Sequence, residues 1–146
     1  MSEFIVRDKP SINPMVEQSS TPWGEEQVLV IASGSFMMKK LFLRKGCKGG
    51  LQYHREKNEA GFIVKGSIIL RSIGDDGLLT EVILEAGDWF HFPSGVVHQE
   101  EALEDTEIIE VGNPIFNDRV RVESAFNLDG TDYGLPTTDE SSIVRR

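Results

Sequence analysis

The stretch Gly87-Asp88-Trp89-Phe90-His91-Phe92-Pro93-Ser94-Gly95-Val96-Val97-His98 decides the fold class. A turn signal, a short aromatic segment, a second turn and a histidine follow one another with no room for a helix. The same texture extends in both directions. Apolar runs at 27–32, 36–43, 61–64, 67–70, 82–84 and 108–111 alternate with turns such as Ser33-Gly34-Ser35, Lys65-Gly66 and Gly74-Asp75-Asp76-Gly77. About nine strands at near-regular spacing, with no sustained helical periodicity, predict an all-β sandwich or barrel.

Composition bounds what such a barrel does. The chain has 146 residues, 39% hydrophobic and 27% charged, which suits one domain with one core. Fifteen Lys and Arg face 24 Asp and Glu, a formal net charge of −9, and no basic block occurs. Nucleic-acid binding through the phosphate backbone is therefore not expected. No apolar run approaches the roughly 20 residues that span a bilayer, and the N-terminus lacks a secretory pattern. The single cysteine, Cys47, permits no internal disulfide. These features predict a cytoplasmic protein without membrane contact. Residues 1–20, with Pro10 and Pro14, read as an N-terminal arm. Residues 21–123 read as the barrel, and 124–146 as a C-terminal strap or tail.

Two of the three histidines fall in suggestive places. On a strand, Gln52 and His54 share a side, Glu59 follows five residues later, and His98 comes just after a tight turn. A Gln oxygen, two imidazoles and a carboxylate suit a divalent first-row ion. The alternative for each histidine is a hydrogen-bonded residue at a strand end. His91 is either a core histidine or, if it faces inward, a spare general base of suitable pKa. Lys39 shares a strand face with Met37, Leu41 and Leu43, while Lys40 shares the other with Phe36, Met38 and Phe42. One lysine must therefore emerge among apolar side chains. Arg119 and Arg121 both read as one face of a final strand.

The spacing Gly46, Gln52-Tyr53-His54, Glu59, Gly66 resembles the first cupin motif, with glutamine in place of its first histidine. Gly87, Pro93-Ser94-Gly95 and His98 resemble the second motif, with Ala102 where its final asparagine would stand. The resemblance implies a small antiparallel β-barrel or jelly roll. It also implies one divalent ion (Zn, Mn, Fe, Co or Ni) on Gln52, His54, Glu59 and His98. Small cupins commonly dimerise, and an arm added to a neighbour's sheet edge would seal a homodimer.

The glutamine brings a closer resemblance, to the type II mannose-6-phosphate isomerase domain. Pro22-Trp23-Gly24, Lys39-Lys40-Leu41, Ile109-Glu110-Val111 and Asp118-Arg119-Val120-Arg121-Val122-Glu123 are similar landmarks, covering about residues 21–123. The chain departs from that family at Phe126-Asn127-Leu128, where Tyr-Gly-Arg is common. The resemblance implies aldose–ketose isomerisation of a phosphorylated sugar, with Lys40 and Arg121 holding the phosphate and His91 available as base. Two other classes remain open: a different metal-dependent cupin enzyme such as a dioxygenase, and a non-catalytic metabolite-binding cupin.

Overall fold

A computed structural model of the chain describes residues 10, 12, 14–130 and 133–146. Thirteen short strands follow in order. They are β1 (Glu17–Thr21), β2 (Gly24–Ala32), β3 (Phe36–Leu43), β4 (Gln52–Tyr53), β5 (Glu59–Lys65), β6 (Ser67–Ile73) and β7 (Leu79–Glu85). Then come β8 (Trp89–Phe92), β9 (His98–Ala102), β10 (Thr106–Gly112), β11 (Ile115–Phe116), β12 (Val120–Arg121) and β13 (Val144–Arg145). The all-β expectation holds. One sheet runs β1-β2-β3-β10-β5-β8, a second runs β12-β4-β9-β6-β7, and β11 pairs with β13. The strand pairings among the described residues are antiparallel.

Strand parity explains which residues turn inward. Along β3, Met37, Lys39, Leu41 and Leu43 are buried while their neighbours are more exposed. Along β10 the buried residues are Thr106, Ile108 and Glu110, and along β5 they are Glu59, Gly61 and Ile63. Antiparallel register sets Ile108 opposite both Leu41 and Ile63, and these join Leu43, Ile68, Phe90, Phe92 and Ala102 in one apolar core. Gly66 turns β5 into β6 with φ of +93°, and a Cβ there would lie 2.4 Å from Thr106 Oγ1. That turn needs glycine for both reasons.

Two segments fold back onto the barrel. Residues 17–20, expected within the arm, pair with β2 as the edge strand of the chain's own sheet. Residues 1–9, 11 and 13 lie outside the described residues. At the other end, β13 pairs with β11, and Thr138 exchanges hydrogen bonds with Arg119. The C-terminal segment thus straps residues 115–121 in place. No helix among the described residues is long and apolar enough to cross a membrane.

Candidate metal centre and cavity

Opposite the apolar core the barrel opens into a cavity of about 310 Å3. Gln52, His54, Glu59 and His98 all line it. Gln52 on β4 sits directly across from His98 on β9, both in the second sheet, and His54 follows β4 by one residue. Glu59 opens β5 in the first sheet, so the two sheets close around this cluster. Donor atoms of His54, Glu59 and His98 all lie within 4.8 Å of one another.

Hydrogen bonding aims these donors. His54 Nδ1 donates to the Asp118 carbonyl in a short bond, and His98 Nδ1 donates to the Val96 carbonyl at 3.0 Å. A carbonyl only accepts, so in each neutral imidazole Nε2 presents its lone pair. Those lone pairs face Glu59 Oε1, at 3.0 Å from His54 and 3.7 Å from His98. Phe92 stacks on His98 with ring centroids 3.9 Å apart and fixes its plane. Burial pushes His98 down to about 4, despite the pull of Glu59, so it stays neutral at pH 7. Three acceptors converging on one point form an arrangement that a cation completes, with outer partners that orient each imidazole. His54, Glu59 and His98 fit a divalent ion, and Gln52 lines the same cavity.

Asp118 organises this centre from outside. Its carboxylate accepts the backbone N–H groups of Arg55, Glu56 and Lys57 at 3.1, 2.7 and 3.1 Å. Burial pushes its pKa up, but those three N–H groups outweigh it and hold Asp118 below the usual range. One residue therefore pins the loop between His54 and Glu59 as well as the His54 ring.

The rest of the cavity wall is charged. Lys57 Nζ lies 2.7 Å from Glu59 Oε2. Burial raises the Glu59 pKa, yet the Lys57 ammonium outweighs this, and Glu59 stays well below the usual value. Burial also works against the Lys57 charge, but Glu59 and Glu110 more than restore it. Lys39 forms a close ion pair with Glu26, and Lys39 stands directly across from Glu110 on β10. Burial, with Glu59 second, pushes Glu100 up to about 8 and Glu110 well above the carboxylate range. Glu100 is therefore mostly protonated at pH 7. No described residue hydrogen-bonds the buried Glu100 Oε1.

Three other residues singled out in the sequence lie elsewhere. Lys40 points out of the barrel and pairs with Glu107 at 3.4 Å. Its parity explains this, because Lys39 takes the inward position on β3. His91 alternates with buried Phe90 and Phe92, so it faces solvent and bonds Asn58 Oδ1 at 2.8 Å. Arg121 is bound by Glu123 and by the carbonyls of Gly130 and Leu135. It crosses Gly50 so closely that a Cβ there would lie 2.4 Å from its Nε. Arg121 does not line the cavity, whereas Arg119 does.

Sequence reasoning missed Lys57, Glu26, Glu100, Glu110 and the role of Asp118. Parity carried a signal for two of them, since Glu100 shares a face with His98 and Glu110 with Ile108.

Comparison with known proteins agrees with this architecture. Residues 41–111 match the cupin domain family. An oxalate decarboxylase of Arthroderma benhamiae is 32% identical over 85 residues, 57% of this chain and 20% of the relative. The chain thus spans about a fifth of that relative's length. Oxalate decarboxylase of Lactobacillus farciminis, in a formate complex, superposes with a TM-score of 0.61 at 19% identity, covering 84% of this chain and 44% of the other. CapF of Staphylococcus aureus, a capsular polysaccharide assembling protein, gives 0.57 at 17% identity over 86% of this chain and 34% of its own. KdgF from Halomonas sp. gives 0.53 at 21% identity, covering 60% and 77%. Likeness at these identities speaks for fold alone. The match of residues 41–111 to the cupin domain family and the fold shared with these solved structures point to the same architecture.

Proposed function

We propose that this chain is a metal-dependent enzyme that moves protons on a small carbohydrate, with aldose–ketose isomerisation as its specific reaction. The observation that carries this reading is one buried cavity in which His54, Glu59 and His98 converge beside protonatable carboxyls. A divalent ion on Gln52, His54, Glu59 and His98 would supply Lewis-acid polarisation of a sugar carbonyl. The chain's own residues account for the remaining needs. Lys57 holds Glu59 ionised for ligation and keeps an ammonium in the cavity. Glu100, buried with a free carboxyl oxygen, is the candidate proton carrier in place of the outward-facing His91. Isomerisation takes a proton from C2 and returns it to C1 while the hydroxyl proton passes from O2 to O1. Glu100 can shuttle the carbon-bound proton only from its carboxylate form, which a pKa raised to about 8 makes the minor form at pH 7 and the major one above pH 8. A cavity of about 310 Å3 suits a monosaccharide better than a polymer. A homodimer sealed by the arm remains part of this proposal, and deleting residues 1–14 should lower the mass measured by light scattering.

Metal analysis of protein purified without chelators tests the first half. His54→Ala and His98→Ala should each lose metal while keeping a β-rich circular dichroism spectrum. Unchanged metal content in both variants overturns the ligand set. Metal-loaded protein in D2O should then introduce deuterium at C1 or C2 of a hexose or its phosphate. No exchange in any hexose or pentose tested defeats the enzyme reading.

A further inference from the structure

We propose that Arg119 is the anion-recognising residue of this cavity, and that the ligand is a small carbohydrate carrying one phosphate or carboxylate. The inference rests on the carbohydrate reading above and adds the chemical class of the ligand. It begins with the partners of the cations. Lys39 is neutralised by Glu26 and Lys57 by Glu59. Lys40 faces outward to Glu107, and Arg121 is sealed against Glu123 away from the cavity. The two residues that the isomerase resemblance assigns to phosphate are therefore both committed elsewhere. Among the described residues, Arg119 is the cavity-lining cation that makes no ion pair.

Its guanidinium is held by neutral groups. Nε donates to the Pro136 carbonyl at 2.8 Å, and Nη2 donates to Asn117 Oδ1 at 3.1 Å. The Arg119 backbone is clamped in turn, its N–H donating to Thr138 Oγ1 at 3.1 Å and its carbonyl accepting from Thr138 N at 3.0 Å. These contacts fix direction without compensating charge. Among the described residues, three of the five guanidinium N–H groups, including both on Nη1, have no hydrogen-bond partner. Partial burial strips water from the group and pulls its pKa below the ordinary arginine value. A preorganised, half-buried guanidinium that feels the Glu26 carboxylate but forms no ion pair with it suits the paired oxygens of a phosphate or carboxylate. Arg119, Trp23 and Leu135 line the cavity with half-buried side chains, whereas His54, Glu59 and His98, which line it too, are buried. A ligand would therefore lie with its uncharged body toward the histidines and its anion at Arg119.

The test is calorimetric titration of metal-loaded protein with mannose 6-phosphate, glucuronate and mannose, alongside metal analysis of each variant. Wild type should bind at least one anionic sugar more tightly than mannose. Arg119→Gln should weaken that anionic sugar by about 10- to 100-fold, the loss expected for a charge-assisted contact. Mannose affinity and metal content should not change, and Arg119→Lys should restore binding only in part. Whether the phosphate or the carboxylate loses more identifies the anion. Wild type that holds metal and binds mannose without preferring either anion overturns the assignment and leaves the metal–carbohydrate reading intact. The same holds if Arg119→Gln keeps the preference. Protein that binds none of the three sugars overturns both.

Discussion

Four inward rows of this barrel, on β3, β5, β9 and β10, change character partway along their strands. β3 carries Lys39 and then Leu41 and Leu43, and β5 carries Glu59 and then Ile63. β9 runs from His98 and Glu100 to Ala102, and β10 from Ile108 to Glu110. Antiparallel register stacks like with like, so Ile108 meets Leu41 and Ile63 while Glu110 meets Lys39 and Gly61. One half of the interior is therefore an apolar plug and the other a charged cavity. Ile63 and Ile108 are 0% exposed, yet Glu59 and Glu110 are only 4% exposed. The two halves are almost equally dry and differ in what burial costs them. Burying isoleucine is favourable by itself, whereas burying a charge is tolerated only when a partner or an ion completes it. The plug can hold the strands together while the cavity keeps unsatisfied chemistry available.

Removing one charge and one apolar side chain separates these roles most sharply. Lys57→Met leaves Glu59 without its cation in the interior, and should cost about 3–5 kcal/mol in metal-free protein. Ile63→Ala leaves a cavity in the plug and should cost about 2–5 kcal/mol. Divalent metal distinguishes them, because a cation can replace the missing ammonium beside Glu59 but cannot fill a void. The rise in Tm on adding metal should exceed that of wild type for Lys57→Met and match wild type for Ile63→Ala. Equal rises in all three proteins would show that Lys57 and the metal do not share Glu59.

The two halves were also unequally legible. The plug follows alternation, and 36–43, 61–64 and 108–111 could be read as strands because their inward residues are mostly apolar. The ligand spacing was legible because turn, strand and turn fix where Gln52, His54, Glu59 and His98 emerge. The charged lining was not, since Glu26, Glu100 and Glu110 occupy inward positions that polarity alone assigns to the surface. Lys39 and Lys40 show the limit clearly. Adjacent lysines on one strand must point oppositely, and only the packed neighbours of β3 decide which one is inside. Arg119 and Arg121 pose a similar problem that periodicity mishandles. The Arg121 guanidinium is captured by Glu123 and by the carbonyls of residues 130 and 135, which no local pattern announces.

Asp118 joins the two regions to the loop that separates them. Its carboxylate caps three consecutive backbone N–H groups while its carbonyl orients His54. Asp118→Asn turns one acceptor oxygen into an NH2 group facing a backbone N–H. The expected loss is about 1–3 kcal/mol of stability, read by denaturant titration. Metal affinity should fall about 10- to 100-fold, as for other changes to groups that orient ligating histidines. A loss of stability with unchanged metal affinity would confine Asp118 to loop packing.

The smallest effect belongs to Lys40, and its smallness sharpens the contrast between the two lysines. Lys40 pairs with Glu107 across the outer face, with side chains 39% and 33% exposed. Solvent screens such a pair, and two long side chains lose rotamer freedom to make it. Lys40→Ala should therefore change stability by no more than about 1 kcal/mol, and less still in high salt. Metal content and the affinity for mannose 6-phosphate should both match wild type, because the side chain points away from the cavity. Lys39→Ala is the informative partner, since it leaves Glu26 buried without its cation and should cost several times more. A weakened phosphate-sugar affinity in Lys40→Ala, with Lys39→Ala unaffected, would mean that β3 presents its other face to the ligand.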